Sequence, residues 1–119
     1  MFIVHDEDEF GEKLREYAGF VDDCVSLADD TPRERLLLGG FGLAGESGEV
    51  VDLLKKHLFH GNSEGEIRDK LVKELGDVLW YYVLILSTMD ITLDEVIDKN
   101  RTKLDKRHAE GYYDHGEGC

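Results

Sequence analysis

Three hydroxyl residues, each followed three positions later by a glutamate, constrain this chain more than anything else in it. They are Thr31-Pro-Arg-Glu34, Ser63-Glu-Gly-Glu66 and Thr92-Leu-Asp-Glu95. In such a box the hydroxyl accepts from a backbone N–H of the first turn, and the glutamate accepts from the N–H of the cap residue. Each box therefore starts a helix. Pro32 falls at the first helical position, where its missing N–H costs nothing. The spacing predicts one helix from about Pro32 to Phe59, broken by His60-Gly61-Asn62. A second runs from about Glu64 to Thr88, and a third from Leu93 to about Ala109. Upstream, Phe10, Leu14, Tyr17, Ala18, Val21, Val25 and Ala28 recur at spacings of three and four, which adds a helix before the first box. Nothing reads as a strand. The expectation is an all-α four-helix bundle over residues 1–110, with a loose tail at 111–119.

The run from Val78 to Leu86 is apolar or aromatic all round. A helix with no polar face is covered on every side. A domain this small has a limited core, so a second subunit is expected over Trp80, Val83 and Leu84. The run has nine residues, against the roughly 20 that a membrane-spanning helix needs. The N-terminus has neither a basic region nor a long apolar stretch, so no signal peptide is expected. Two cysteines, Cys24 and Cys119, make no disulfide framework. A reduced, cytoplasmic protein is expected. The net charge of −13 argues against nucleic acid polymers and anionic membranes as partners. Asp6 to Glu9, Asp22, Asp23, Asp29 and Asp30 read as a solvated acidic face.

Two acidic pairs stand apart from that surface charge. Glu46 and Glu49 are three apart on the second helix, and Glu74 and Asp77 are three apart on the third. Residues at this spacing share a helix face. On a helical wheel Glu46 and Glu49 share a stripe with Val50, Leu53, His57 and His60. Lys70, Glu74, Asp77 and Tyr81 fall in one narrow arc beside the apolar arc of the third helix. Antiparallel packing would bring the four carboxylates together. A hard divalent cation is the usual way to neutralise such a cluster. Neither helix carries the Glu-x-x-His pair of di-iron bundles, which favours magnesium, with manganese as a substitute, and points to phosphate chemistry. Asp52 is rotated off the Glu49 direction and reads as outer or surface charge.

Gly39, Gly40, Gly42, Gly45 and Gly48 each cost helix propensity, about 1 kcal/mol against alanine, and imply close approach of another helix or of a ligand. Gly40-Phe-Gly42-Leu-Ala-Gly45 spells a dinucleotide fingerprint, but it lies inside a capped helix without the strand that the fingerprint requires. His57 and His60 read as helix-end residues. On the fourth helix Leu93, Val96, Ile97, Asn100 and Leu104 form the stripe expected to be buried. Asn100 is the polar member, and Lys103 and Arg107 beside it form a possible phosphate clamp.

The segments Gly42 to Lys56, Lys73-Glu-Leu-Gly-Asp-Val-Leu-Trp-Tyr81 and Asn100 to Arg107 together resemble the MazG-like all-α NTP pyrophosphohydrolases. The resemblance implies hydrolysis of a nucleoside triphosphate to the monophosphate and pyrophosphate. It implies magnesium held by Glu46, Glu49, Glu74 and Asp77, nucleotide contacts from Lys56, Tyr81, Asn100 and Lys103, and a dimer or dimer of dimers. Many members begin the first motif with two adjacent glutamates; here the earlier position is Gly45, and the general base is left as Glu46 or Glu49. Many end the fourth helix with Arg-Tyr-Pro; here the sequence is Arg107-His108-Ala109. Two other readings are a phosphoribosyl-ATP pyrophosphatase and a non-catalytic helical interaction protein.

Overall fold

A computed structural model describes residues 6–26 and 31–111. It contains four helices, and no strand among the described residues: α1 (Glu7–Ser26), α2 (Pro32–Phe59), α3 (Glu64–Thr88) and α4 (Leu93–Ala109). The caps behave as their chemistry dictates. The Thr31 hydroxyl accepts from Glu34 N–H at 3.2 Å, and the Glu34 carboxylate accepts from Thr31 N–H at 3.1 Å. Ser63 and Glu66 repeat the reciprocal pattern. Thr92 makes only its own half, to Glu95 N–H at 3.1 Å, because Glu95 turns to Lys99 instead. A further cap was not anticipated: Asp6 accepts from Glu9 N–H at 2.8 Å and opens α1. Part of the N-terminal acidity is thus helix-starting chemistry. At the end of α2 the N–H groups of His60 and Asn62 both reach Lys56 C=O, with Gly61 at φ 78°, the left-handed cap that glycine suits. His57 Nδ1–H donates to Asn62 C=O at 2.8 Å, locking the turn.

The chain forms two compact units, one through Met89 and one from Asp90. In the first, α2 and α3 pack antiparallel at close range. A Cβ placed on Gly39 would lie 2.7 Å from Ile85 Cγ1, and one on Gly42 would overlap the Tyr81 ring. These glycines are the sites of close helix approach. Gly40, Gly45 and Gly48 face open space. Ile67 and Leu53 are buried towards the α2–α3 turn.

The core joins α1 to α3. Val21 and Leu84 are fully buried, and Val25 and Val83 nearly so. Tyr17, Ala18 and Trp80 pack around them. This corrects the expectation that a second subunit covers Trp80, Val83 and Leu84. The chain's own α1 does so, because its Val21–Val25 stripe supplies the apolar partner. A polar node closes the same three helices. Arg35 of α2 donates to Asp22 of α1 at 2.5 Å and to Thr88 of α3 at 3.0 Å. Ser87 donates to Asp22 at 2.6 Å. The Ser87 hydroxyl and the Arg35 guanidinium hold the Asp22 carboxyl below its ordinary range, against a smaller effect of burial. Asp22 is therefore an interhelical tie rather than solvated surface; Asp29 and Asp30 lie outside the described residues.

The second unit is α4, whose helix presents no buried residue. In the stripe expected to be buried, Leu93, Val96 and Leu104 are half-buried and Asn100 is exposed; Ile97 is 55% exposed. Its few aliphatic residues, set among many charges, do not make a core of their own. Residues 112–119, read as a loose tail, lie outside the described part. No helix among the described residues is long and apolar enough to cross a membrane.

The two kinds of glycine should respond oppositely to a methyl group. Gly42→Ala should lower the melting temperature, because Tyr81 must move. Gly19→Ala, in mid-α1 with nothing within 4 Å, should gain about 0.5–1 kcal/mol. Thermal melts of the two variants side by side check this; equal effects would refute the close-approach role.

Candidate functional site

The antiparallel register that sets Gly39 beside Ile85 and Gly42 beside Tyr81 places Glu46, one turn further along α2, opposite Glu74 and Asp77 of α3. One carboxylate oxygen from each of Glu46, Glu74 and Asp77 lies within 4.8 Å of the others. Glu46 and Glu74 are half-buried, and Asp77 is exposed. Three of the four expected carboxylates thus meet. Glu49 is exposed and outside that group, yet close enough to repel Glu46.

The electrostatics show the cost of the arrangement. The Glu46 carboxyl is raised above its ordinary 4.5 by a hydrogen bond with Glu74, then by desolvation, then by the charges of Asp77, Glu74 and Glu49. Each of these effects favours the protonated form of Glu46. The donor set is all oxygen, with no imidazole or thiolate, and it fits a hard divalent cation. Glu46, Glu74 and Asp77 would hold it, and Glu49 is close enough for its charge to act on Glu46.

The remaining expected residues divide by element. Tyr81 lies over Gly42, with Trp80 edge-on to it at 5.1 Å, so its ring is fixed beside the carboxylates. Lys56 pairs with Asp52 at 3.1 Å, and Lys55 reaches the same carboxylate at 3.8 Å. Asp52 is held below its ordinary range by that hydrogen bond to Lys56 and stays out of the acidic group, as its rotation on the wheel implied. Asn100 and Lys103 are exposed on α4, in the second unit. Lys99, Arg101 and Lys106 each have a carboxylate partner. Lys103 and Arg107 have none among the described residues.

One neighbour escaped the sequence reading. Tyr17 of α1 lies near enough to Asp77 for that charge to raise its phenol, after the larger effect of burial. Periodicity marks Tyr17 as a core residue and carries no sign of what its hydroxyl end approaches.

A bound divalent cation should stabilise the folded chain by mass action. The melting temperature at pH 7 should rise on moving from EDTA to millimolar magnesium. Because Glu46 binds a proton more tightly folded than unfolded, the metal-free protein gains stability as pH falls through the raised value. The magnesium shift should therefore shrink towards pH 5. Glu46→Gln should stabilise the EDTA-treated protein and abolish most of the shift. Identical melts with and without magnesium would remove the cation from the site.

Residues 40–112 match the MazG nucleotide pyrophosphohydrolase domain. The chain is also 40% identical over 91 residues to the Gene 37 protein of Mycobacterium phage L5, with 75% of each chain covered. No solved structure matches. The domain match begins in the glycine-rich half of α2 and takes in both acidic pairs and all of α4. On that match, the chain belongs to the MazG nucleotide pyrophosphohydrolase domain family.

Proposed function

We propose that this chain is a magnesium-dependent nucleoside triphosphate pyrophosphohydrolase, with manganese as a substitute. It would cleave (d)NTP to (d)NMP and pyrophosphate in the cytoplasm, clearing unwanted nucleotides from the pool. The observation that carries the reading is the meeting of Glu46, Glu74 and Asp77 oxygens on an α2–α3 pair of this family. A nucleoside monophosphate-plus-pyrophosphate product requires water to attack the α-phosphorus. The bond from that phosphorus to the bridging oxygen breaks, and pyrophosphate leaves with the bonding electrons. A divalent cation bound there supplies charge neutralisation and activation of water.

The chain's own residues do the rest. Glu46, Glu74 and Asp77 would hold the cation beside the reacting end of the triphosphate. Glu49 lies outside that group, so it is the carboxylate left to accept the proton of the attacking water. Tyr81, pinned on Gly42, borders the site and limits water access. Lys56 and the unpaired Lys103 supply cationic contacts to the nucleotide, and Asn100 a polar one.

Assembly as a dimer or dimer of dimers also belongs to this reading, on a face other than that of Trp80. Val51, Leu54 and Leu58 make an exposed stripe on α2, and Val72, Leu75 and Leu79 make another on α3. Val51 and Leu58 are 63% and 67% exposed. Exposed apolar stripes of this kind are surfaces that a second copy could cover.

A panel of NTPs and dNTPs, assayed for pyrophosphate release with magnesium, tests the activity. Glu49→Gln and Asp77→Asn should each lower turnover by about 10²-fold or more in a folded protein, and Asp52→Asn should do much less. Near-wild-type release by Asp77→Asn would sink the assignment. Sedimentation tests the assembly: the wild type should run as an even oligomer, and Val51→Glu with Leu75→Glu should dissociate it. A wild-type monomer at micromolar concentration would refute the interface.

A further inference from the structure

The turn end of the α2–α3 pair holds a cavity of about 470 Å³, lined by Asp52, Leu53, Lys55, Lys56, His60, Asn62, Glu66, Ile67 and Lys70. That volume falls in the range of small-molecule sites. Buried Leu53 and Ile67 contribute to its wall. Its charge runs against that of the chain. Three lysines and a histidine border it, in a protein of net charge −13. Both acids that line it are already engaged. Asp52 accepts from Lys55 and Lys56, and Glu66 is turned to the Ser63 cap.

Lys70 is the informative member. On a helix the favoured ion-pair partner of a lysine is a glutamate four residues before it, and for Lys70 that residue is Glu66, which is turned to the Ser63 cap. Glu74, four residues after Lys70, lies in the acidic group with Glu46 and Asp77, and Lys70 makes no ion pair among the described residues. Lys73, by contrast, pairs with Asp69 at 3.0 Å. Lys70 is thus a cation lining a cavity, one helical turn, about 6 Å of rise, from the acidic cluster. Lys56 stands two turns beyond Glu49 on the antiparallel partner, so both lysines lie displaced from the carboxylates in the same direction, towards the turn. The ammonium of Lys56 has donors to spare beyond Asp52.

We propose that this cavity seats the pyrophosphate portion of the substrate, its β- and γ-phosphates, with Lys70 as the principal contact, assisted by Lys56 and His60. The identity of the anion rests on the pyrophosphohydrolase reading; the existence of an anion site does not. The triphosphate then runs from the carboxylate cluster, where the α-phosphorus reacts, into the cavity, where the leaving group is held. An acidic chain that must retain a highly charged anion needs such a place.

The test is calorimetric titration of inorganic pyrophosphate into the wild type, Lys70→Gln, Lys70→Arg and Lys73→Gln, all with saturating magnesium. Lys70→Gln should weaken binding about 10-fold or more, Lys70→Arg should retain most of it, and Lys73→Gln should match the wild type. In turnover assays Lys70→Gln should raise KM and weaken product inhibition by pyrophosphate by similar factors. Equal binding by Lys70→Gln and Lys73→Gln, or no binding by the wild type, overturns the proposal. The two readings fail separately. A wild type that hydrolyses no nucleotide but binds pyrophosphate through Lys70 removes the activity and keeps the site. Normal hydrolysis with Lys70-independent binding does the reverse.

Discussion

The closeness of α2 to α3 is the constraint on which the rest depends. Gly39 and Gly42 remove two side chains from the interface and let Ile85 and Tyr81 lie against the α2 backbone. With larger residues there the helices would stand further apart, and the carboxylates one turn along could not reach across to one another. Helix propensity is given up at Gly42 to set Tyr81, and the same register delivers Glu46 to Glu74 and Asp77. Packing and chemistry are thus fixed by one contact.

That cluster raises the free energy of the folded state, and stability must come from elsewhere. The cluster sits on one face of α3, and the α1–α3 core of Val21, Val25, Val83 and Leu84 is built on another. The Asp22–Arg35–Ser87–Thr88 node ties all three helices at the end away from the α2–α3 turn. Asp22 has a lowered pKa, so its contribution is full above the ordinary carboxylate range. It is lost as pH falls through the lowered value. Glu46 has the opposite sign. The metal-free fold is therefore most burdened by its site near neutrality, where a divalent cation can offset the repulsion.

The helices were legible because their ends are encoded locally. Thr31 with Pro32, Ser63, and the His60-Gly61-Asn62 break each satisfy backbone groups within a few residues, so the bounds of α2 and α3 follow from sequence. The acidic site was legible for a related reason: i, i+3 spacing fixes a shared face whatever the tertiary packing. What covers Val83 and Leu84 was not legible. Periodicity shows that a face is apolar, but the identity of its partner is a property of the topology, and α1 rather than a second chain takes the place. The same limit applies to Glu49, which the spacing groups with Glu46 and which lies outside the oxygen group, near enough for its charge to act on Glu46. Asp22 was misread as surface charge, and the closeness of the Tyr17 phenol to Asp77 was not seen, because a sequence gives a residue's helix and face but not the neighbours on other helices.

Charge placement gives the arrangement its functional sense. Around the carboxylates the negative potential would repel a nucleoside triphosphate, so neutralisation has to be local. A cation at Glu46, Glu74 and Asp77 neutralises one end of the substrate's path, and lysines left without carboxylate partners can serve the other. Surface lysines such as Lys73 and Lys99 are matched by acids at i−4 and have little attraction left for a ligand. Lys70 has its i−4 acid, Glu66, turned to the Ser63 cap, and its i+4 acid, Glu74, set in the acidic group. The Ser63–Glu66 capping box therefore has two consequences: it starts α3, and it leaves a neighbouring ammonium without its ion-pair partner. A substitution that separated Glu46 from Glu74 should therefore weaken cation binding at the carboxylates without supplying Lys70 with the partner that the cap holds.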